Sequence, residues 1–226
     1  MCGRYVAPDE ASIEREFNLV RTEWRFPASF NVAPTQEVPV VRMREDRRQG
    51  VLLRWGLIPF FARGMAPKYS TINARIETVQ TAASYRGPWK RAQRCLVVAQ
   101  GFYEWQTQAD GKTKVPYYIH LNDQEIFSFA GLWDASRKDD GTVIESCVHL
   151  TVPANRLVGE IHNTQHRMPA ILVKQDRNAW LSGSADDAWA ALKPYPDDHM
   201  VAWPVSKRVN TPKNNDADLI TPVPLP

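Results

Sequence analysis

Arg94-Cys95-Leu96-Val97-Val98-Ala99-Gln100-Gly101-Phe102-Tyr103-Glu104-Trp105 is the stretch on which the fold turns. Residues 94–100 and 101–105 are apolar runs rich in β-branched and aromatic side chains, the composition of a buried strand. One bent strand is expected to run through both. A single carboxylate, Glu104, is set inside it between Tyr103 and Trp105.

Working outward, Val115–Leu121, 126–133 and 143–152 repeat the pattern, with turn chemistry at Asp110-Gly111 and Asp140-Gly141 between them. Upstream, 37–43 and 51–55 read as strands around a charged turn, 44–50. Residues 30–34 read as an ordered loop, because the residue before Pro34 is driven extended. The aromatic, glycine- and proline-punctuated segment 56–68 fits no single regular element. Residues 71–77 are expected to be extended and to lead into a helix near 78–85. Short helices are expected at 9–17, capped by Asp9, and at 155–161, 176–181 and 186–192. Strands at 170–173 and 200–205 and a polar, proline-rich tail from 210 to 226 complete the chain. Strands outnumber helices and no βαβ rhythm occurs. The expected fold is α+β, a mainly antiparallel sheet curled into a barrel-like core with short peripheral helices. No repeat or long linker divides it, so one domain over 1–226 is expected.

Composition bounds the function. The chain has 226 residues, 43% hydrophobic and 23% charged, the profile of a soluble globular protein. Its net charge of +3 is compatible with nucleic acid as a partner without requiring it. No apolar run reaches the length of a membrane span. Cys2, Cys95 and Cys147 are odd in number and lack metal-ligand spacing. Reduced thiols, a cytoplasmic location, a monomer, and neither metal nor cofactor are expected.

The chemistry begins at Met1-Cys2-Gly3-Arg4. Removal of Met1 leaves an N-terminal cysteine, with an amine and a thiol on adjacent carbons. Such a residue captures an aldehyde as an imine and then closes a thiazolidine. Its α-amine is about 10–15% neutral at pH 7, against roughly 0.04% for a lysine. Read alone, Cys2 is equally an ordinary residue near a chain end. Asn73, Arg75 and Glu77 alternate in an extended segment and share one face, where an amide and a guanidinium could meet a sugar oxygen and a phosphate, or simply face solvent. Glu104, among apolar neighbours, suits a general acid–base if its side chain points inward. His162 and His166 are rival proton carriers, followed by an Arg167-Met168-Pro169 turn. Arg54 and Trp55, with Gly56, Phe60 and Phe61, could stack unpaired bases or fold into the core. His120 and His149, in strand runs, and His199 have no assigned role.

These phrases occur together and in order: Met1-Cys2-Gly3-Arg4, Asn31-Val32-Ala33-Pro34, Trp55-Gly56-Leu57-Ile58-Pro59, Asn73-Ala74-Arg75-Ile76-Glu77-Thr78, Gly101 to Trp105, and His162 with Arg167-Met168-Pro169. Over nearly its whole length the sequence closely resembles the SOS response-associated peptidase (SRAP) family. The resemblance implies a mixed α/β fold with a β-sheet core and a sensor of abasic sites in single-stranded DNA. It implies a covalent crosslink through Cys2, protection of damaged DNA, latent lyase activity and self-removal of Met1. Carried over by motif, Cys2 is the nucleophile, and Asn73, Glu104 and His162 surround the abasic sugar. Gly3, Arg4, Trp55, Gly56, Arg75 and Arg167 are the implied DNA contacts. The sequence departs from the family pattern His-x-Arg-Met-Pro, because three further residues separate His162 from Arg167, which leaves His166 as a rival. A cysteine peptidase using Cys2, and a non-catalytic single-strand binder, are the alternatives.

Overall fold

The computed structural model describes residues 2–19 and 24–225. Its strands are β1 (Tyr5–Ala7), β2 (Ser29–Val32), β3 (Glu37–Arg44), β4 (Arg47–Trp55), β5 (Asn73–Arg75), β6 (Arg94–Ala99) and β7 (Gly101–Thr107). Then follow β8 (Lys114–Leu121), β9 (Phe127–Arg137), β10 (Val143–Pro153), β11 (Arg167–Pro169), β12 (Ile171–Leu172) and β13 (Met200–Pro204). The helices are α1 (Glu10–Phe17), α2 (Ile76–Val79), α3 (Arg86–Lys90), α4 (Arg156–Ile161), α5 (Asp176–Ser182) and α6 (Ala185–Ala190).

Five strands close on themselves in the order β10-β4-β3-β6-β9 and back to β10. All neighbours in this barrel are antiparallel except β4 and β10, which run parallel. β5 and β11 extend from β10, and β12 from β9. A second, wholly antiparallel sheet has the order β13-β8-β7-β1-β2. Its inner face, with Phe102 and Ile119, shares one apolar core with the barrel residues Leu96, Phe129 and Leu132. The fold is the α+β, curled-sheet architecture expected from the strand pattern.

The run at 94–105 divides. β6 belongs to the barrel and β7 to the second sheet, so the expected bent strand is two strands that change sheets at Gln100. Gly101 permits the change, because a Cβ there would run into the Tyr118 ring. Gly101→Val is therefore expected to lower stability by about 1–3 kcal/mol through overpacking, measured by chemical denaturation.

Other local expectations shift for physical reasons. The charged turn is only Glu45-Asp46, both at positive φ, which makes a two-residue hairpin and leaves Arg47–Gly50 inside β4. Residues 29–32 are strand β2, because they find a partner in the three-residue β1. The helix near 78–85 is replaced by α2 and α3 on either side of a turn. The expected turn at Arg167-Met168-Pro169 is strand β11. α1 forms as expected: Asp9 Oδ1 accepts from Ser12 N at 3.0 Å, and Ile13 and Phe17 are buried. Much of the expected tail is docked. Asn31 Nδ2 donates to the carbonyls of Val209, Thr211 and Asn214, and Leu219 is buried against the outer face of the second sheet. Pro226 lies outside the described residues.

Candidate active site

Strands from both sheets bring the candidate residues together. β1 begins just after Cys2, β7 carries Glu104 and β5 carries Asn73. Cys2 is 1% exposed. Its carbonyl accepts from Asn73 Nδ2 at 3.0 Å, and its thiol donates to Arg4 O at 3.5 Å. Burial pushes the Cys2 thiol well above its ordinary value, and the neighbouring Glu104 carboxylate adds to the shift. The group at this site is thus a thiol, which needs a base before it can act as a nucleophile. Met1 and its removal lie outside the described residues.

Glu104 is 2% exposed, and burial raises it to about 7. It can give and take a proton at neutral pH. His162 caps the C-terminus of α4, and its Nε2 lies 3.9 Å from Glu104 Oε2. Its Nδ1 is 2.8 Å from Arg167 O and 3.3 Å from Arg167 N, so the Arg167 backbone holds the ring in place. Burial lowers the His162 pKa, which favours the neutral ring beside Glu104. His166, the rival, is exposed at a positive φ on the loop after α4. Asn163 pins that loop to the end of β7, accepting from Thr107 N at 3.1 Å and donating to Thr107 O at 2.8 Å. The three additional residues are thus absorbed in a surface loop, and His162 keeps its place beside Glu104.

A cleft of about 420 Å³ opens over Glu104 and His162, with Trp105, Lys114, Gln165 and Asn210 along its walls. Gln165 stands two residues before Arg167, where the family pattern has its histidine, and Lys114 carries no sequence signal for the site. Lys114 stands in a run of ordinary strand residues; the β7–β8 pairing sets it opposite Thr107, where it lines the same cleft as Glu104. A larger groove of about 670 Å³ lies away from these residues, beside Tyr118, His120 and Trp203. It holds neither Cys2 nor Glu104.

The implied DNA contacts divide. Arg75 is exposed at the end of β5. It does not share a face with Glu77, because the chain turns into α2 at Ile76. Gly3 is half-buried beside Cys2. Arg4 clamps the C-terminal segment, donating to Asn31 Oδ1 at 3.0 Å, Val209 O at 2.6 Å and Asn210 O at 3.2 Å. Trp55 has 0% exposure, donates to Ile72 O at 2.9 Å and packs edge-on against Tyr5, so it is a core residue with no face for a base. Gly56 is buried at φ +117, its amide bonded to Cys147 O. Arg167 is likewise buried: it grips Glu77 with two hydrogen bonds, of 2.5 and 3.0 Å, and also donates to Thr151 O. Its guanidinium is engaged within the protein. Beyond Trp55, the rings of Phe60 and Phe61 are exposed, with the Arg91 guanidinium 5.0 Å from the Phe60 ring.

The Cys2 carbonyl is held by the buried Asn73 amide, its thiol lies near Glu104, and Glu104 in turn faces His162. The chain belongs to the SOS response associated peptidase (SRAP) family, whose model matches residues 1–212. It is similar to the abasic site processing protein YoqW of Bacillus subtilis (strain 168), 37% identical over 227 residues, 97% of this chain and 99% of that one. It is similar also to the abasic site processing protein HMCES of Gallus gallus, 30% identical over 248 residues, 94% of this chain and 72% of that one. A crystal structure of a Bacteroides thetaiotaomicron protein matches with a TM-score of 0.87 at 27% identity, over 99% of this chain and 100% of that one. One from Bordetella bronchiseptica matches at 0.79 and 29% identity, over 91% and 100%.

Proposed function

We propose that this protein processes abasic sites in single-stranded DNA by capturing the sugar aldehyde on Cys2. The observation that carries the reading is the buried set of Cys2, Asn73, Glu104 and His162, with the Glu104 carboxyl raised to about 7. The names of the relatives point the same way.

The chemistry follows from these groups. Loss of Met1 frees the Cys2 amine. Glu104 and the neutral His162 move the protons that open the closed sugar to its aldehyde. The amine nitrogen adds to C1′, and the carbinolamine loses water to give an imine. The Cys2 sulfur then bonds to C1′, its proton passes through Glu104 to the imine nitrogen, and a thiazolidine results. The whole capture releases one water. Asn73 holds the Cys2 backbone while this happens. An oligonucleotide with a tetrahydrofuran in place of the abasic sugar tests the reading. It cannot open to an aldehyde and is expected to give no adduct, whereas the true abasic site gives one that survives denaturation. An equal yield from both would refute aldehyde capture.

Exposed Arg75 is the backbone contact in this scheme, and Phe60 and Phe61 are the rings on which bases stack. Arg75→Ala is expected to weaken single-strand binding and to reduce the salt slope by about 0.7, one phosphate's share. The check is a fluorescence-anisotropy titration at several salt concentrations. An unchanged slope would remove Arg75 from the interface.

A further inference from the structure

His149 lies in the middle of β10 and is completely buried. Its ring is 5.3 Å from Trp55 and 5.1 Å from Phe129, and neither ring nitrogen has a hydrogen-bond partner among the described residues. A phenylalanine or leucine would fill such a cage without leaving an unpaired donor and acceptor. A buried polar side chain that the packing does not require calls for an explanation in terms of what it holds.

Its neighbour across the ladder supplies one. In the parallel pairing of β10 with β5, His149 is the register partner of Asn73, which places both side chains on the same side of the sheet. Asn73 Nδ2 donates to the Cys2 carbonyl, but Asn73 Oδ1 is buried with no partner among the described residues. An Asn amide is nearly symmetric in shape, so only hydrogen bonds decide which end faces Cys2. Turned over, it would set an oxygen against the Cys2 carbonyl oxygen. A donor near Oδ1 would satisfy the other end of the amide and strengthen the preference that the Cys2 carbonyl sets. Tyr5 Oη is a third buried, unpartnered group, and the Tyr5 ring touches the same two rings, Trp55 at 5.3 Å and Phe129 at 5.9 Å. His149 thus meets Asn73 in register and shares its two ring neighbours with Tyr5, and three unpartnered polar groups are the usual complement of an internal water.

We propose that His149 is a positioning residue: through a buried water that it shares with Tyr5, it holds Asn73 Oδ1 and so aims the Asn73 amide at Cys2. The inference rests on the reading of Cys2 and Asn73 as the reacting site. His149 does not touch the substrate and acts only through Asn73.

The test compares His149→Phe, which fills the cage without a hydrogen bond, with His149→Gln, which restores one. The first readout is exchange of the Asn73 side-chain amide in 1H–15N spectra, which needs no DNA. It is expected to speed up at least tenfold in His149→Phe and to return toward the wild-type rate in His149→Gln. The second is the initial rate of adduct formation at saturating single-stranded abasic DNA. A fall of at least tenfold is expected in His149→Phe, with unchanged DNA affinity, an unchanged or raised Tm, and recovery in His149→Gln. Wild-type amide exchange and wild-type adduct rate in His149→Phe would overturn the proposal. If His149→Phe does not fold, His149→Leu makes the same comparison. If the wild-type protein forms no adduct, the proposed function fails, and the amide exchange alone still decides the role of His149.

Discussion

Replacing Cys2 by serine is expected to abolish the denaturation-resistant adduct, a loss of at least 100-fold in yield. The amine remains and still forms the imine at C1′, but the hydroxyl does not close the ring as the thiol does. An unclosed imine acidifies the neighbouring sugar carbon and promotes β-elimination, so the variant should nick abasic strands slowly while failing to hold them. The fold should tolerate the change. Cys2 is buried, and among the described residues its thiol donates to Arg4 O at 3.5 Å, a bond that a hydroxyl can replace. Denaturing gels of labelled oligonucleotide separate the two products. A heat-stable adduct of undiminished yield in Cys2→Ser would sink the scheme.

Glu104→Gln should act in opposite directions on activity and stability. The amide keeps the shape of the buried carboxyl but carries no proton to give. Adduct formation is expected to slow by about 100-fold, the lower end of what general acid–base groups contribute. The stability effect follows from the raised pKa. The folded state holds the Glu104 proton up to about pH 7, whereas the unfolded chain releases it near the ordinary carboxyl value of 4.5. Stability is therefore lost as pH rises from the unfolded value through the folded one. Above pH 7 the folded protein carries a buried charge that costs about 3 kcal/mol, which the glutamine removes. Denaturant titrations at pH 5 and pH 8 should show Glu104→Gln close to wild type at the lower pH and more stable at the higher. Equal stabilities at both would mean that the carboxyl is not desolvated.

The legible part of this fold is the part set by neighbours in sequence. Apolar runs at 115–121, 126–133 and 143–152 announce strands, and Asp9 with Ile13 and Phe17 announces α1, because period and capping are local. Closure of the barrel is not local. It depends on β10 pairing with both β4 and β9, and nothing in 143–153 states that it has two such partners. The change of sheet at Gln100 was hidden because its cause, the Tyr118 ring over Gly101, lies on another strand. The candidate site shows the same division. Glu104 between two aromatic residues already suggests a desolvated carboxyl. The bond of Arg167 to Glu77, 90 residues away in sequence, is not local and is not legible in the sequence. Trp55 is open between two readings in the sequence for the same reason, since an aromatic loop and a buried core corner share one composition.

The most direct measurement is intact mass of the processed protein after incubation with a single-stranded oligonucleotide carrying one abasic site, followed by peptide mapping. The expected product has the mass of the chain without Met1 plus the oligonucleotide minus one water, with the modification on Cys2. An adduct mapped to a lysine, or no adduct from protein shown to lack Met1, would contradict capture by the N-terminal cysteine.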